Sequence, residues 1–150
     1  MEDNEKPIGT LDILQQLDGD TFPVNEGVLL DENAKKNIKT FFYALFKSMG
    51  LKRADVIRTA NLPRNYAYQI ISGERIGKRD YYLNLAIAMG LDLDTTQRML
   101  AVTNHGTLYA RIKRDAAVIF AIKHHYTCEQ TYDLMCSEKV AVKPLDTGVE

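Results

Sequence analysis

Apolar positions along the chain recur at intervals of three and four, without sustained alternation of apolar and polar residues. The pattern predicts helices and no sheet. Over about 32–48, Ala34, Ile38, Phe41, Phe42, Leu45 and Met49 form one apolar stripe, and Gly50 stops the helix. A second helix is expected over 53–60, with Val56, Ile57 and Ala60 inward; Asn61 then takes the left-handed conformation of a tight turn. Pro63 opens a third helix, where its fixed φ does no harm; the helix runs to Ile71 and ends at Ser72-Gly73. A fourth covers 79–89 and closes at Gly90. A fifth follows Asp92, whose carboxylate caps it, and carries Met99 and Leu100 inward.

Asn104-His105-Gly106 breaks the chain. A sixth helix is expected over 108–125, with Ile112, Ala116, Ile119 and Phe120 as its apolar face. Thr127-Cys128-Glu129-Gln130 has the spacing of a capping box, so a seventh helix starts there and ends near Ser137. From Lys139 onward the chain reads as a frayed tail. The first 30 residues are interrupted by Pro7, Gly9, Gly19, Pro23 and Gly27 and suggest only a short helix over 10–17. The division is therefore a leader (1–30), a helical domain (31–93), a helical extension (94–138) and a tail (139–150).

At 150 residues, with 45% apolar and 26% charged residues, the chain fits one soluble globular domain. No apolar run approaches the roughly 20 residues of a membrane span. The start, Met1-Glu2-Asp3-Asn4-Glu5, lacks the basic and apolar regions of a signal peptide, and a cytoplasmic location is expected. Cys128 and Cys136 fall on one expected helix, roughly 12 Å apart, too far to bridge. Both read as small buried apolar residues.

The net charge of −1 conceals an uneven distribution. Residues 1–32 are net −8. Residues 52–79 carry Lys52, Arg53, Arg58, Arg64, Arg75, Lys78 and Arg79 against Asp55 and Glu74. Such a stretch is either a solvated helix face or the footprint of an anionic partner.

The second and third helices, joined by a turn of about three residues, have the spacing of a helix-turn-helix. With Ala67, Ile70 and Ile71 inward, the outer face of the third presents Arg64, Asn65, Tyr68 and Gln69. Arg can bond guanine O6 and N7 together, and Asn or Gln can do the same with adenine N6 and N7. Arg53, Arg75, Lys78 and Arg79 flank this helix where phosphates would run. Tyr66 and Tyr68 face different sides, so one packs while the other meets the backbone, or both cover the seam.

Over about 41–93 the chain resembles the Cro/C1-type (XRE) helix-turn-helix family of bacterial and phage regulators. The resemblance rests on Gly50-Leu51, Arg64-Asn65-Tyr66, Ser72-Gly73-Glu74-Arg75 and Leu85-Ala86-x-Ala88-Met89-Gly90-Leu91-Asp92-Leu93. It implies an all-α, lambda-repressor-like bundle with additional C-terminal helices. It also implies base reading at Arg64, Asn65 and Gln69, phosphate contact at Arg53, and proximity to the DNA backbone at Tyr66, Arg75 and Lys78. Four positions depart from the family pattern: Arg53 for the usual Gln, Ile57 for Ala, Asn61 for Gly, and Pro63 for a Ser or Thr cap. Ile57 is expected to change the crossing of the two helices or push them apart. The stretch Leu108-Tyr109-x-Arg111-x-x-Arg114-Asp115-Ala116 looks like an extension found in a Gram-positive subgroup.

No nucleophile–base pair, phosphate loop or metalloprotease motif is legible, and no enzyme or cofactor is expected. His124, His125, Cys128 and Cys136 match no common zinc spacing. His105 reads as a loop residue, and Tyr81 and Tyr82 as core and boundary residues. The leading expectation is a sequence-specific binder of double-stranded DNA acting in transcription regulation. It is expected to act as a homodimer on two half-sites about one DNA turn apart, because one recognition helix buries little surface. The helices after residue 93 would supply the dimer contact or receive a signal. The alternative is a protein-interaction adaptor that keeps the fold without specific DNA binding, with an unidentified protein partner. The acidic leader is also a candidate inhibitor of the basic face.

Overall fold

The computed structural model describes residues 32–148, and every regular element among them is a helix. The expected helix over 10–17 lies outside the described residues. The elements are α1 (Glu32–Met49), α2 (Arg53–Ala60), α3 (Arg64–Ser72), α4 (Arg79–Met89), α5 (Leu93–Val102), α6 (Lys113–Lys123) and α7 (Cys128–Cys136). Local signals account for most boundaries. Asn61, Gly73 and Gly90 close α2, α3 and α4 in the left-handed conformation. The Asp92 side chain accepts the Thr95 N–H, and the Thr127–Gln130 capping box is complete in both directions.

The core lies around α4, which buries nearly every residue from Tyr81 to Met89. Its apolar character all round fits a central helix. α2 packs on one side of it and α5 on another; α1 lies across α3 and α5. α6 and α7 form a pair that rests on α5 and α4, so the extension shares the bundle's core. On α1 the buried residues are Ile38, Phe42 and Phe46; Met49, expected in the stripe, is largely exposed.

α6 differs from expectation in length and rotation. The chain over 108–112 is not helical, because side chains rather than a helical ladder satisfy its backbone. Gln97 accepts the Leu108 N–H at 2.7 Å and donates to the Leu108 carbonyl at 2.9 Å, and Asp115 accepts the Tyr109 N–H at 3.0 Å. The buried face of α6 is Asp115, Ala117, Val118, Ala121 and Ile122, while Ile112 and Phe120 are 51% and 44% exposed. Half of the expected apolar face is thus on the surface, while Ala116 and Ile119 are half-buried. Asp115 points inward to meet Arg79, and this fixes the rotation of the helix.

The tail is not frayed as far as Gly148. Val140, Val142 and Leu145 pack on the core. Arg114 donates to the carbonyls of Lys143 and Pro144, and Asn84 donates to that of Asp146. Nor are the cysteines both buried: both are free thiols, Cys128 half-buried and Cys136 exposed. No helix among the described residues is long and apolar enough to cross a membrane.

Candidate nucleic-acid interface

The turn between α2 and α3 is built from short-range bonds. The Asn61 N–H donates to the Arg58 carbonyl and the Leu62 N–H to the Ile57 carbonyl, with Asn61 at φ 58°. Leu62 is then driven into the core, and α3 leaves in a new direction. Pro63 stands just before the helix as its N-cap and supplies no side-chain acceptor. Ala67, Ile70 and Ile71 are buried, which turns the other side of α3 outward. Ile57 is accommodated at 3% exposure, and a cleft of about 390 Å³ at the turn is lined by Ala54, Ile57, Arg58, Asn61, Leu62 and Arg64.

On the outward side of α3, Arg64 and Asn65 are exposed and Tyr68 and Gln69 half-buried. The Arg64 guanidinium lies 5.9 Å from the Tyr68 ring centre, close enough for a cation–π contact. The four residues expected to read bases therefore share one outward arc.

The residues expected at phosphates divide into two groups. Arg53 and Arg75 have no acidic partner among the described residues. Arg53 lies over the Phe46 ring at 5.1 Å and Arg75 over the Tyr66 ring at 5.4 Å, which hold their stems without neutralising their charge. Tyr66 is half-buried and meets Tyr81 edge-to-face at 5.5 Å. Burial and the neighbouring Tyr81 raise its phenol above the ordinary value despite Arg75 and Lys78 nearby, so it stays protonated.

Lys78 and Arg79 are already engaged. Lys78 Nζ lies 3.0 Å from an Asp146 carboxylate oxygen. Arg79 makes four bonds: two to the Asp115 carboxylate at 2.9 and 3.0 Å, and one each to the carbonyls of Gly106 and Thr107. The guanidinium expected at a phosphate thus binds a bidentate carboxylate and two carbonyls and holds α4 to α6, with one of its five N–H groups left over. Asp80 repeats the scheme in reverse, accepting two bonds from Arg114 at 2.8 and 2.9 Å and one from the Asp146 N–H.

Burial works to raise the Asp115 carboxyl, but the Arg79 and Tyr109 donors and the charges of Arg79 and Arg114 outweigh it and hold it below the ordinary value. Asp80 is likewise held low against its burial, by Arg114 and the Asp146 N–H. The sequence carries one signal of this crossed arrangement: Lys-Arg-Asp occurs at 78–80 and again at 113–115, each at a helix start.

The loop carrying Arg75 and Lys78 is held from below. The Gly77 N–H donates to the buried Tyr82 hydroxyl at 3.0 Å, and His105 Nε2 lies 2.9 Å from the Gly77 carbonyl. That carbonyl can only accept, so this ring nitrogen carries the proton. Burial pushes the Tyr82 hydroxyl up to about 12. His105 therefore braces the loop beside α3. Among the described residues no three His, Cys, Asp or Glu side chains gather into a metal-binding group.

No family model, curated protein or solved structure matches the chain.

Proposed function

We propose that the chain is a transcriptional regulator of bacterial or phage type that binds specific double-stranded DNA, with α3 in the major groove. The observation that carries this reading is the composition of the outward arc of α3. Arg64, Asn65, Tyr68 and Gln69 are residue types that read base edges, on the second of two short helices joined by a tight turn. Arg75 lies over Tyr66 of the same helix, and neither it nor Arg53 has an acidic partner among the described residues. The resemblance of the central stretch to the Cro/C1-type family, with its lambda-repressor-like bundle, supports the same reading. Arg64, Asn65, Tyr68 and Gln69 read bases; Arg53, Tyr66 and Arg75 meet phosphates, and Lys78 joins them when it leaves Asp146. No catalytic chemistry, cofactor or metal enters this function, and its place is the cytoplasm. It acts as a homodimer, with the C-terminal helices supplying the contact between copies.

The test is selection from a pool of random duplexes by the full chain at near-physiological salt, beside the Arg64→Ala/Gln69→Ala variant. An enriched two-fold-symmetric site that the variant fails to enrich is expected. Each substitution alone should cost about 1–3 kcal/mol on that site and relax one base pair. No enrichment by the parent chain would overturn the reading. The second reading, a helix-turn-helix protein-interaction adaptor, is favoured by one observation: Lys78 and Arg79 are both neutralised within the fold. It expects no selected sequence and a protein partner on the same face.

A further inference from the structure

Behind the helix-turn-helix lies a second cavity of about 290 Å³, bounded by the end of α2, by α4, by α7 and by the C-terminal segment. Its size is at the lower end of small-molecule sites, about 300–1,000 Å³, enough for one ring and a short arm. Met135 and Leu145 make part of the wall apolar, and the Tyr132 ring adds an aromatic surface.

The wall carries hydroxyls at Thr59 and Tyr132 and the Asn61 amide, which donate or accept, and beside them two groups that can only accept or that carry negative charge. Among the described residues its lining includes no Lys, Arg or His and one carboxylate, Glu129, which is exposed and in no ion pair with them. Asn84 is 5% exposed. Its Nδ2 donates to the Asp146 carbonyl at 3.0 Å, and because a carbonyl can only accept, this bond fixes the amide's orientation. Asn84 Oδ1 is left as a buried acceptor with no donor among the described residues. Such a group is costly unless a ligand or water donates to it. The Thr131 hydroxyl gives its proton to the Thr127 carbonyl and keeps only lone pairs. Burial pushes the Cys128 thiol up to about 11, so it adds a neutral surface. The start of α7 would by itself favour an anion, but Glu129 in its first turn already supplies that charge.

A buried acceptor without a donor, a carboxylate as the wall's charged group and an apolar surface describe the complement of a cation with a small hydrocarbon body. We propose that this cavity binds a small organic amine, its ammonium donating to Asn84 Oδ1 and neutralised by Glu129, its body against Met135, Leu145 and Tyr132. The bound molecule touches Ala60 and Asn61, the last turn of α2 and the bend into α3. Occupancy then alters the setting of α3, and the amine acts as an effector of DNA binding. Only this consequence rests on the DNA-binding reading.

The test uses the full ¹⁵N-labelled chain and three probes of one shape: 2-phenylethylamine, 2-phenylethanol and phenylacetate. The amine should shift the amide signals of Asn61, Asn84 and Cys128 and bind at least about tenfold tighter than either isostere. It should slow alkylation of Cys128 and leave exposed Cys136 unaffected, an internal reference on the same helix. Glu129→Gln removes an exposed, unpaired charge and should leave the fold intact; it should weaken the amine about tenfold or more and leave the alcohol unchanged. Amide shifts elsewhere only, equal binding of the alcohol, or preference for the acid would each overturn the proposal. If the amine binds as described and a DNA titration is unmoved by it, the effector role falls and the site stands. If the chain binds no DNA, the amide shifts still decide the site.

Discussion

Arg79 and Asp115 lie 36 positions apart in the chain and meet fork to fork, the guanidinium bonding both carboxylate oxygens at 2.9 and 3.0 Å. Asp115 is 3% exposed, and the Arg79 side chain 27%. The pair fastens the start of α4 to the start of α6, and the reversed pair of Asp80 and Arg114 lies beside it. Removing one member strands the other charge in a partly dry site. Asp115→Ala should lower the unfolding free energy by about 3 kcal/mol, the low end for a broken buried pair. The double variant Arg79→Met/Asp115→Leu should cost less than Asp115→Ala alone. Urea unfolding of the set checks this, and strict additivity would show that the two groups are not coupled.

The same relationship separates a structural cation from a phosphate contact. On the DNA-binding reading, Lys78→Ala should flatten the dependence of log affinity on log salt by about one unit. Asp146→Asn, which removes the competitor for Lys78, should tighten binding at all sequences and leave that dependence nearly unchanged, because the number of phosphate contacts stays the same. Arg79→Met should lower stability and leave the slope unchanged. Titrations of one duplex at several salt concentrations measure all three, and a flattened slope for Arg79→Met would return Arg79 to the interface.

Acid should loosen the junction between α4 and α6. Asp80 and Asp115 titrate below the ordinary carboxylate value of about 3.9 in the folded chain. A lowered folded value means the charged form is favoured by folding. This stabilisation is fully present above about pH 4 and is lost as pH falls from there through the folded values. Chemical denaturation between pH 7 and pH 3 should show the decline, and it should be smaller in the Arg79→Met/Asp115→Leu variant. An equal decline in both would place the acid sensitivity elsewhere.

Two glycines at positive φ should respond differently to alanine. At Gly50, φ 65°, a Cβ would meet nothing within 4 Å, so only the left-handed backbone resists, at about 1–2 kcal/mol. At Gly73, φ 86°, a Cβ would run into the backbone carbonyl of Lys35 where α3 passes α1. Gly73→Ala should therefore cost roughly a further 1–3 kcal/mol for forcing the helices apart. Thermal unfolding of the two variants should rank them in that order, and equal losses would show that α1 and α3 are free to move apart.

What the sequence by itself determined was local. Asn61, Gly73, Gly90, Asp92 and the Thr127–Gln130 pair act within about four residues of where they stand, so the ends of α2, α3 and α4 and the starts of α5 and α7 follow from their neighbours. The outward arc of α3 was legible for the same reason, because burying Ala67, Ile70 and Ile71 leaves Arg64, Asn65, Tyr68 and Gln69 on the other side. Tertiary structure decided the rest, where partners are distant in the chain. Apolar spacing on α6 offered two faces, and an ion pair to α4 selected the one that leaves Ile112 and Phe120 outside. A tail with Pro144 and Gly148 has no local reason to be ordered, yet Asp80, Asn84 and Arg114 accept or donate to its backbone. The basic stretch gave a count of positive charges. Asp55 pairs locally with Arg58, but which of the others remain unpaired depended on carboxylates at 115 and 146, because a charge is neutralised by what lies within a few ångströms of it, however far along the chain.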